Sequence, residues 1–187
     1  MSKAVLISIR PRWCGLIANG EKTVEVRKSR PKLRTPFKCY IYCTSDKHLA
    51  FVQDATGANL IACIDAETAI PVGGFVGNAK VIGEFICDRI YELAPLNHAP
   101  SDVEQRACLT REEIVQYLNG IGYGWHISDL RIYDTPRELS MLCRPYVCDD
   151  CDAKWATDCN ACHDKGKIKR PPQSWRYVEA LQEYETR

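Results

Sequence analysis

Gly20-Glu21-Lys22-Thr23-Val24-Glu25-Val26-Arg27 is the stretch on which the reading of this chain turns. Its second half alternates: Val24 and Val26 point to one face, while Thr23, Glu25 and Arg27 share the other. That pattern predicts a half-buried strand. Upstream, Pro11 suits the first position of a short helix running to Ala18, and Gly20 suits the turn that ends it. Lys22 therefore falls at a helix–strand junction, beside a carboxylate and a guanidinium. A point cation, an acceptor and a bidentate phosphate binder gathered in this way can form a structural ion-pair network. They can equally line a cleft that holds a phosphate on Arg27 and a base edge on Glu25.

The flanking segments supply the rest of a mixed architecture. Residues 3–9 read as a strand with Val5, Ile7 and Ile9 on one face. Further strands are expected over 38–44, 80–91 and 123–134, the second carrying Glu84 and the third carrying Trp125-His126. Glu84, flanked by Ile82 and Ile86 on its own face, is a costly buried carboxylate unless paired, most simply with Lys22 or Arg27. Residues 45–77, with a strand-like 60–64 and a glycine-rich end, read as an insertion. Thr110-Arg-Glu-Glu113 is a capping box that starts a helix with Ile114, Tyr117 and Leu118 on its apolar stripe, stopped by Gly120. After Pro171-Pro172, residues 173–184 place Trp175, Val178 and Leu181 at helical spacing. Several strands with a few short helices make the class α+β, with a small barrel as the expected form.

Near the C-terminus, Cys148-Asp-Asp-Cys151 and Cys159-Asn-Ala-Cys162 form two C-x-x-C knuckles. Two such turns supply the four sulfurs that a structural zinc ion prefers, and the short separation distinguishes them from a lone redox pair. Residues 144–170 are poor in large apolar side chains, so a crosslink is needed to offset their ordering entropy. Structural zinc contributes on the order of 10–16 kcal/mol in small finger peptides. Cys143 and His163 flank the quartet, and either could replace one member. The expected organisation is a main domain over 1–142, a zinc-binding segment over 143–170 and a helix over 171–187 packing back on the domain.

Composition narrows the function classes. The 187 residues are 45% hydrophobic and 26% charged, ordinary values for a soluble domain. No apolar run reaches the ~18 residues of a membrane span, and the apolar start is interrupted by Arg10 before it could serve as a signal core. Eleven cysteines without a secretory signal favour reduced thiols in a cytoplasmic setting. Most of them, Cys14, Cys39, Cys43, Cys63, Cys87 and Cys108, sit among apolar neighbours and read as small core residues. The net charge of +1 conceals an excess of five positive charges over residues 20–38. With a second run, Lys165, Lys167, Lys169 and Arg170, this favours a polyanionic partner. Lys28, Arg30, Lys32 and Arg34 are the candidate phosphate contacts. Trp13 and Trp125 are candidate stacking surfaces for bases, and His126 a neighbouring polar contact.

Three segments together resemble the ASCH domain, a relative of the PUA RNA-binding fold. They are Lys3-Ala-Val-Leu-Ile-Ser-Ile-Arg-Pro-Arg-Trp13, the G-x-K-x-x-E-x-R match over 20–27, and Tyr123-Gly-Trp-His-Ile-Ser-Asp-Leu-Arg131. The tail around Arg170-Pro-Pro-Gln-Ser-Trp-Arg-Tyr-Val-Glu179 is similar to extended members common in bacteria and their phages. The resemblance implies a PUA-like β-barrel with flanking helices and a cleft suited to RNA or a nucleotide. One branch of that family hydrolyses the amide of acetylated cytidine with a lysine, a threonine and a glutamate. Lys22 and Glu84 match two of these, but Glu25 occupies the threonine position, with Thr23 two residues earlier on the same face, so a carboxylate stands where a hydroxyl is needed. The expected function is RNA or nucleotide binding. The alternatives are a nucleoside hydrolase or ribonuclease using Lys22, Glu25 and Glu84, or a protein-interaction adaptor built on the zinc tail.

Overall fold

The computed structural model describes residues 2–64, 73–93, 99–145, 151 and 159–181. Strand β1 (Lys3–Ile9) forms where expected, but it is buried on both faces rather than one. Val5, Ile7 and Ile9 enter one apolar cluster with Phe51, Phe85 and Trp125, while Ala4 and Leu6 enter a second with Tyr40, Tyr133 and Val178. Its near-continuous apolar run is the signature of a strand covered on two sides. Helix α1 (Pro11–Ala18) follows, and Gly20 turns the chain at φ +75°, a region that favours glycine.

Strand β2 (Val24–Arg27) does not join β1. Its apolar face, Val24 and Val26, packs with Ile114 and Leu118 of α3 (Arg111–Leu118) and with Val103 and Ala107 of α2 (Val103–Ala107). The capping box of α3 forms as expected: Glu113 N donates to Thr110 Oγ1 at 3.2 Å and Thr110 N donates to Glu113 Oε2 at 2.8 Å.

Two expected long strands each break into two. Residues 80–91 divide into β7 (Lys80–Cys87) and β8 (Ile90–Glu92), and residues 123–134 fall in β9 (Tyr123–His126) and β10 (Ser128–Arg137). In both cases the halves enter different sheets. One sheet has the order β10-β7-β3-β1-β11, with β3 (Phe37–Cys43) parallel to β1 and β11 spanning Trp175–Glu179; a second has the order β2-β9-β8. At the second corner, Ile127 N donates to Thr23 O at 2.9 Å, which fixes β10 relative to β2. Residues 45–77 contribute a third sheet, β5-β4-β6, made of β4 (Leu49–Gln53), β5 (Asn59–Cys63) and β6 (Phe75–Val76). This sheet packs on α1, where Gly15 leaves room for Ile61. The class is α+β, but among the described residues the strands form open sheets rather than the expected closed barrel.

The tail is the largest correction. A helix was expected over 173–184, yet residues Trp175–Glu179 form strand β11, antiparallel to β1. The apolar spacing fits both periods, and the free edge of β1 decides between them by offering β11 a ladder of backbone partners. Residues 182–184 of the expected helix lie outside the described residues. Of the cysteines expected in the core, Cys14, Cys39, Cys43 and Cys87 are buried, whereas Cys63 is exposed and Cys108 half-buried. The chain turns outward at the ends of their segments, so their apolar neighbours did not guarantee burial.

Candidate nucleotide cleft and cysteine cluster

A cleft of about 580 Å³ opens where β1 ends, walled by α1, β2, α3 and the segment before β11. Three of its lining residues, Lys22, Glu25 and Arg27, are at least nine-tenths buried. Glu25 lies between the two cations: its Oε1 is 2.9 Å from Arg27 Nη2, and its Oε2 is 3.5 Å from Lys22 Nζ. Lys22 Nζ also donates to Ala107 O at 2.6 Å and sits 5.1 Å from the centre of the Trp13 ring. Arg27 Nη2 donates to Ser8 O at 2.7 Å, and Nη1 donates to Ser174 Oγ at 3.3 Å. A charge can be buried at this depth only with such a set of partners. Two atoms are left over. Glu25 Oε2 and Arg27 Nε are buried without a hydrogen-bond partner among the described residues.

Trp13 lines the cleft, and so do Arg10, Thr44, Gln116, Tyr117 and Gln173, none of which the sequence marked as a site residue. Tyr117 carried the one available signal: an aromatic residue on the expected apolar stripe of α3 that stays 44% exposed. The Lys28 ammonium lies 5.5 Å from the centre of its ring.

Three expected site residues stand elsewhere. Trp125 is fully buried, edge-on to Phe37 at 6.0 Å and to Trp175 at 5.8 Å between ring centres, so it has no face for a base. Strand β9 runs between β2 and β8, which carries the ring into the core. Glu84 pairs with neither Lys22 nor Arg27. It accepts from Lys38 Nζ at 3.1 Å and from the Tyr133 hydroxyl at 2.6 Å, and it does not line the cleft. The cross-strand register decides this, because Glu84 of β7 stands opposite Tyr40 of β3 and Arg131 of β10. Burial first, and then this hydrogen bond, push the Tyr133 phenol well above its ordinary range. His126 is also outside the cleft; its Nδ1 lies 2.5 Å from Asp88 Oδ1. Burial raises the Asp88 carboxyl, but the hydrogen bond and charge of His126 outweigh it and leave the group below its ordinary value.

The basic loop after β2 forms a separate groove of about 750 Å³ lined by Arg30, Lys32 and Arg34. It is tethered rather than loose: Lys32 N donates to the Tyr177 hydroxyl at 2.7 Å, Trp175 Nε1 donates to Ser29 Oγ at 3.0 Å, and the Arg30 guanidinium lies 5.5 Å from the centre of the Tyr123 ring. No carboxylate among the described residues pairs with these three cations.

In the tail, the Sγ atoms of Cys151, Cys159 and Cys162 lie within 4.8 Å of one another. Tetrahedral zinc with sulfur ligands at about 2.3 Å would set its sulfurs about 3.8 Å apart, and the Cys151 and Cys162 sulfurs are 3.6 Å apart. The donor set and spacing fit a soft, thiolate-bound metal. Cys162 is carried by helix α4 (Asn160–Gly166), and Cys143 packs against it. Cys148 and the side chain of His163 lie outside the described residues.

No family model matches the chain, and no curated protein matches it. Solved structures do. The ASCH protein of Zymomonas mobilis aligns at a TM-score of 0.54 and 17% identity, over 94% of this chain and 87% of that one. A serine-to-alanine variant of it gives 0.55 and 17% over 94% and 88%, and a tyrosine-to-phenylalanine variant gives 0.53 and 18% over 95% and 91%. The fold is therefore of the ASCH type, spread over nearly the whole of both chains. Among the described residues no helix is long and apolar enough to cross a membrane.

Proposed function

We propose that the cleft around Lys22, Glu25 and Arg27 binds RNA or a nucleotide, without turnover. The observation that carries this reading is the charged wall of the cleft: Lys22, Glu25 and Arg27, two cations around one carboxylate, line it together with Trp13 and Tyr117. Two cations around one carboxylate leave this wall net positive, which suits a ligand that brings negative charge and polar edges. A nucleotide does so with a phosphate and a base edge, while the half-buried Trp13 and exposed Tyr117 offer aromatic surface. The ASCH fold supports the same reading. The basic groove at Arg30, Lys32 and Arg34 extends the contact to the backbone of a longer strand.

Binding is favoured over hydrolysis because the expected catalytic set does not assemble. Glu84 is held by Lys38 and Tyr133, and the Thr23 hydroxyl accepts from Arg106 Nε at 3.4 Å. In the tail, the proposed cofactor is one structural zinc ion on Cys148, Cys151, Cys159 and Cys162. It would order its segment and supply no chemistry to the cleft.

The test is titration of the protein with a fluorescein-labelled hexauridylate, alongside mass spectrometry of nucleosides that co-purify. Lys22→Ala should weaken binding at least tenfold with the fold intact by circular dichroism. Equal affinity in the variant would move the site out of this cleft, and release of a cleaved or deacylated product by the parent protein would restore the enzyme reading.

A further inference from the structure

Gln173, a wall of the cleft, belongs to a strap that leaves the cysteine cluster and returns to it. Residues 167–179 make up the strap, and Cys143 holds both of its ends. At the start, Cys143 bridges Lys167 in antiparallel fashion, flanked by Arg144 N donating to Gly166 O at 3.0 Å and Ile168 N donating to Leu142 O at 2.9 Å. At the finish, Glu179 N donates to Cys143 O at 2.8 Å. Cys143 is itself buried against Cys162 of the cluster. Midway, the strap meets the cleft: Ser8 N donates to Ser174 O at 2.9 Å, Ser8 Oγ donates to Pro172 O at 2.6 Å, and Ser174 Oγ accepts from Arg27 Nη1.

Ile168 anchors the strap in the apolar cluster of Leu6 and Tyr40, but ahead of it little besides the cysteine cluster can hold the chain. Helix α4 has seven residues, well short of the ~12–15 at which an isolated helix becomes even marginal. Among the described residues of 144–170, Ile168 is the only large apolar side chain that is buried. A metal ion bound to Cys151, Cys159 and Cys162 would fix α4, α4 would fix Cys143 and Lys167, and these would set where Pro172–Ser174 lie.

We infer that the cysteine-bound metal is a clamp on the strap, and that it sets the ligand affinity of the cleft by positioning Gln173 and Ser174 against Ser8 and Arg27. The inference rests on the cleft being the binding site. Removing the ion leaves β1 paired with β3 and with β11 but loosens residues 167–174, ahead of β11. The Arg27 guanidinium then loses its Ser174 contact, and the cleft loses a wall. Binding to one site and ion occupancy of another are thereby coupled, and reciprocally so.

The experiment uses the full chain carrying one equivalent of zinc, followed by amide hydrogen exchange before and after removal of the ion with a chelator. Exchange at Ser8, Ile168 and Glu179 should accelerate at least tenfold, with Cys39 and Tyr40 in the middle of the sheet unchanged. Cys162→Ser should reproduce the acceleration without chelator, whereas Cys63→Ser, on β5 and outside the cluster, should not. Affinity for the labelled hexauridylate should fall at least fivefold on chelation. Protein that holds no zinc, or exchange at Ser8 that chelation does not alter, overturns the clamp. Faster exchange with undiminished affinity overturns its coupling to the cleft. If the zinc-loaded protein does not bind hexauridylate at all, the binding reading of the cleft fails, and the exchange data alone decide the clamp.

Discussion

The cleft and the cysteine tail each concentrate polar residues, and each must be ordered against the tendency of polar segments to stay in water. In the cleft, Lys22, Glu25 and Arg27 are carried by β2 and the turn before it, over the apolar packing of Val24 and Val26 against α2 and α3. Packing puts the charges in place, and the charges then satisfy most of one another. In the tail, Cys151, Cys159 and Cys162 sit on a segment with almost no apolar cover among the described residues, and the sulfurs must supply the order themselves. The difference shows that similar polarity can come from opposite causes: one site is a product of the core and the other substitutes for a core.

The sharpest way to break the comparison is to unbalance the cleft. Arg27→Ala leaves Glu25 buried with Lys22 as its nearest cation, at 3.5 Å. Stranding a buried charge costs about 3–5 kcal/mol, so the urea midpoint should fall accordingly; a loss below about 1 kcal/mol would mean that water reaches the carboxylate freely. Metal removal should act locally instead. The main unfolding transition should shift by no more than about 1 kcal/mol, because the tail lies outside the cooperative core, while local opening in the tail increases. A collapse of the whole transition on chelation would place the tail within the core.

Smaller effects sharpen the contrast at the surface. Replacing Arg30, Lys32 and Arg34 with Gln should leave stability within about 0.5 kcal/mol. The log–log salt slope of hexauridylate binding should flatten by about 2 if all three meet phosphates of a single strand. An unchanged slope would shift the contacts to the basic run at 165–170. The smallest effect concerns Asp88, whose carboxyl is held low by His126. A depressed carboxyl contributes stability that is present above about pH 4 and lost as pH falls through its folded value. Asp88→Asn should remove that part of the acid limb. The pair is partly exposed, so the change is at most about 1 kcal/mol, measured by urea titration at pH 5 and pH 3.

Features that depend on neighbours in the chain were legible. Helix α1, strand β1, the capping box at Thr110 and the side-by-side placement of Glu25 and Arg27 all follow from local periodicity or a local hydrogen bond. Strand breaks were not. Ile127 does not interrupt the apolar pattern, and Asp88-Arg89 reads as two polar positions within one run, because a corner between two sheets can keep strand-like spacing on both sides. The partner of Glu84 was hidden for a related reason: that the residue needed a cation was readable from Ile82 and Ile86, but Lys38 reaches it through a register between β3 and β7 that lies outside any single segment.

By itself, then, the sequence determined which residues share the polar face of β2, which cysteines could share a metal, and that short helices and strands would mix. Those are properties of side-chain chemistry and of spacing within about ten residues. Tertiary structure decided that residues 175–179 form a strand, that Trp125 belongs to the core, and that Gln173 lines the cleft. Each of those outcomes depended on an open edge or an apolar surface contributed from far away in the chain. The edge of β1 is the plainest case: it turned a segment with the spacing of a helix into β11, because a row of unpaired backbone groups accepts a strand and cannot accept a helix.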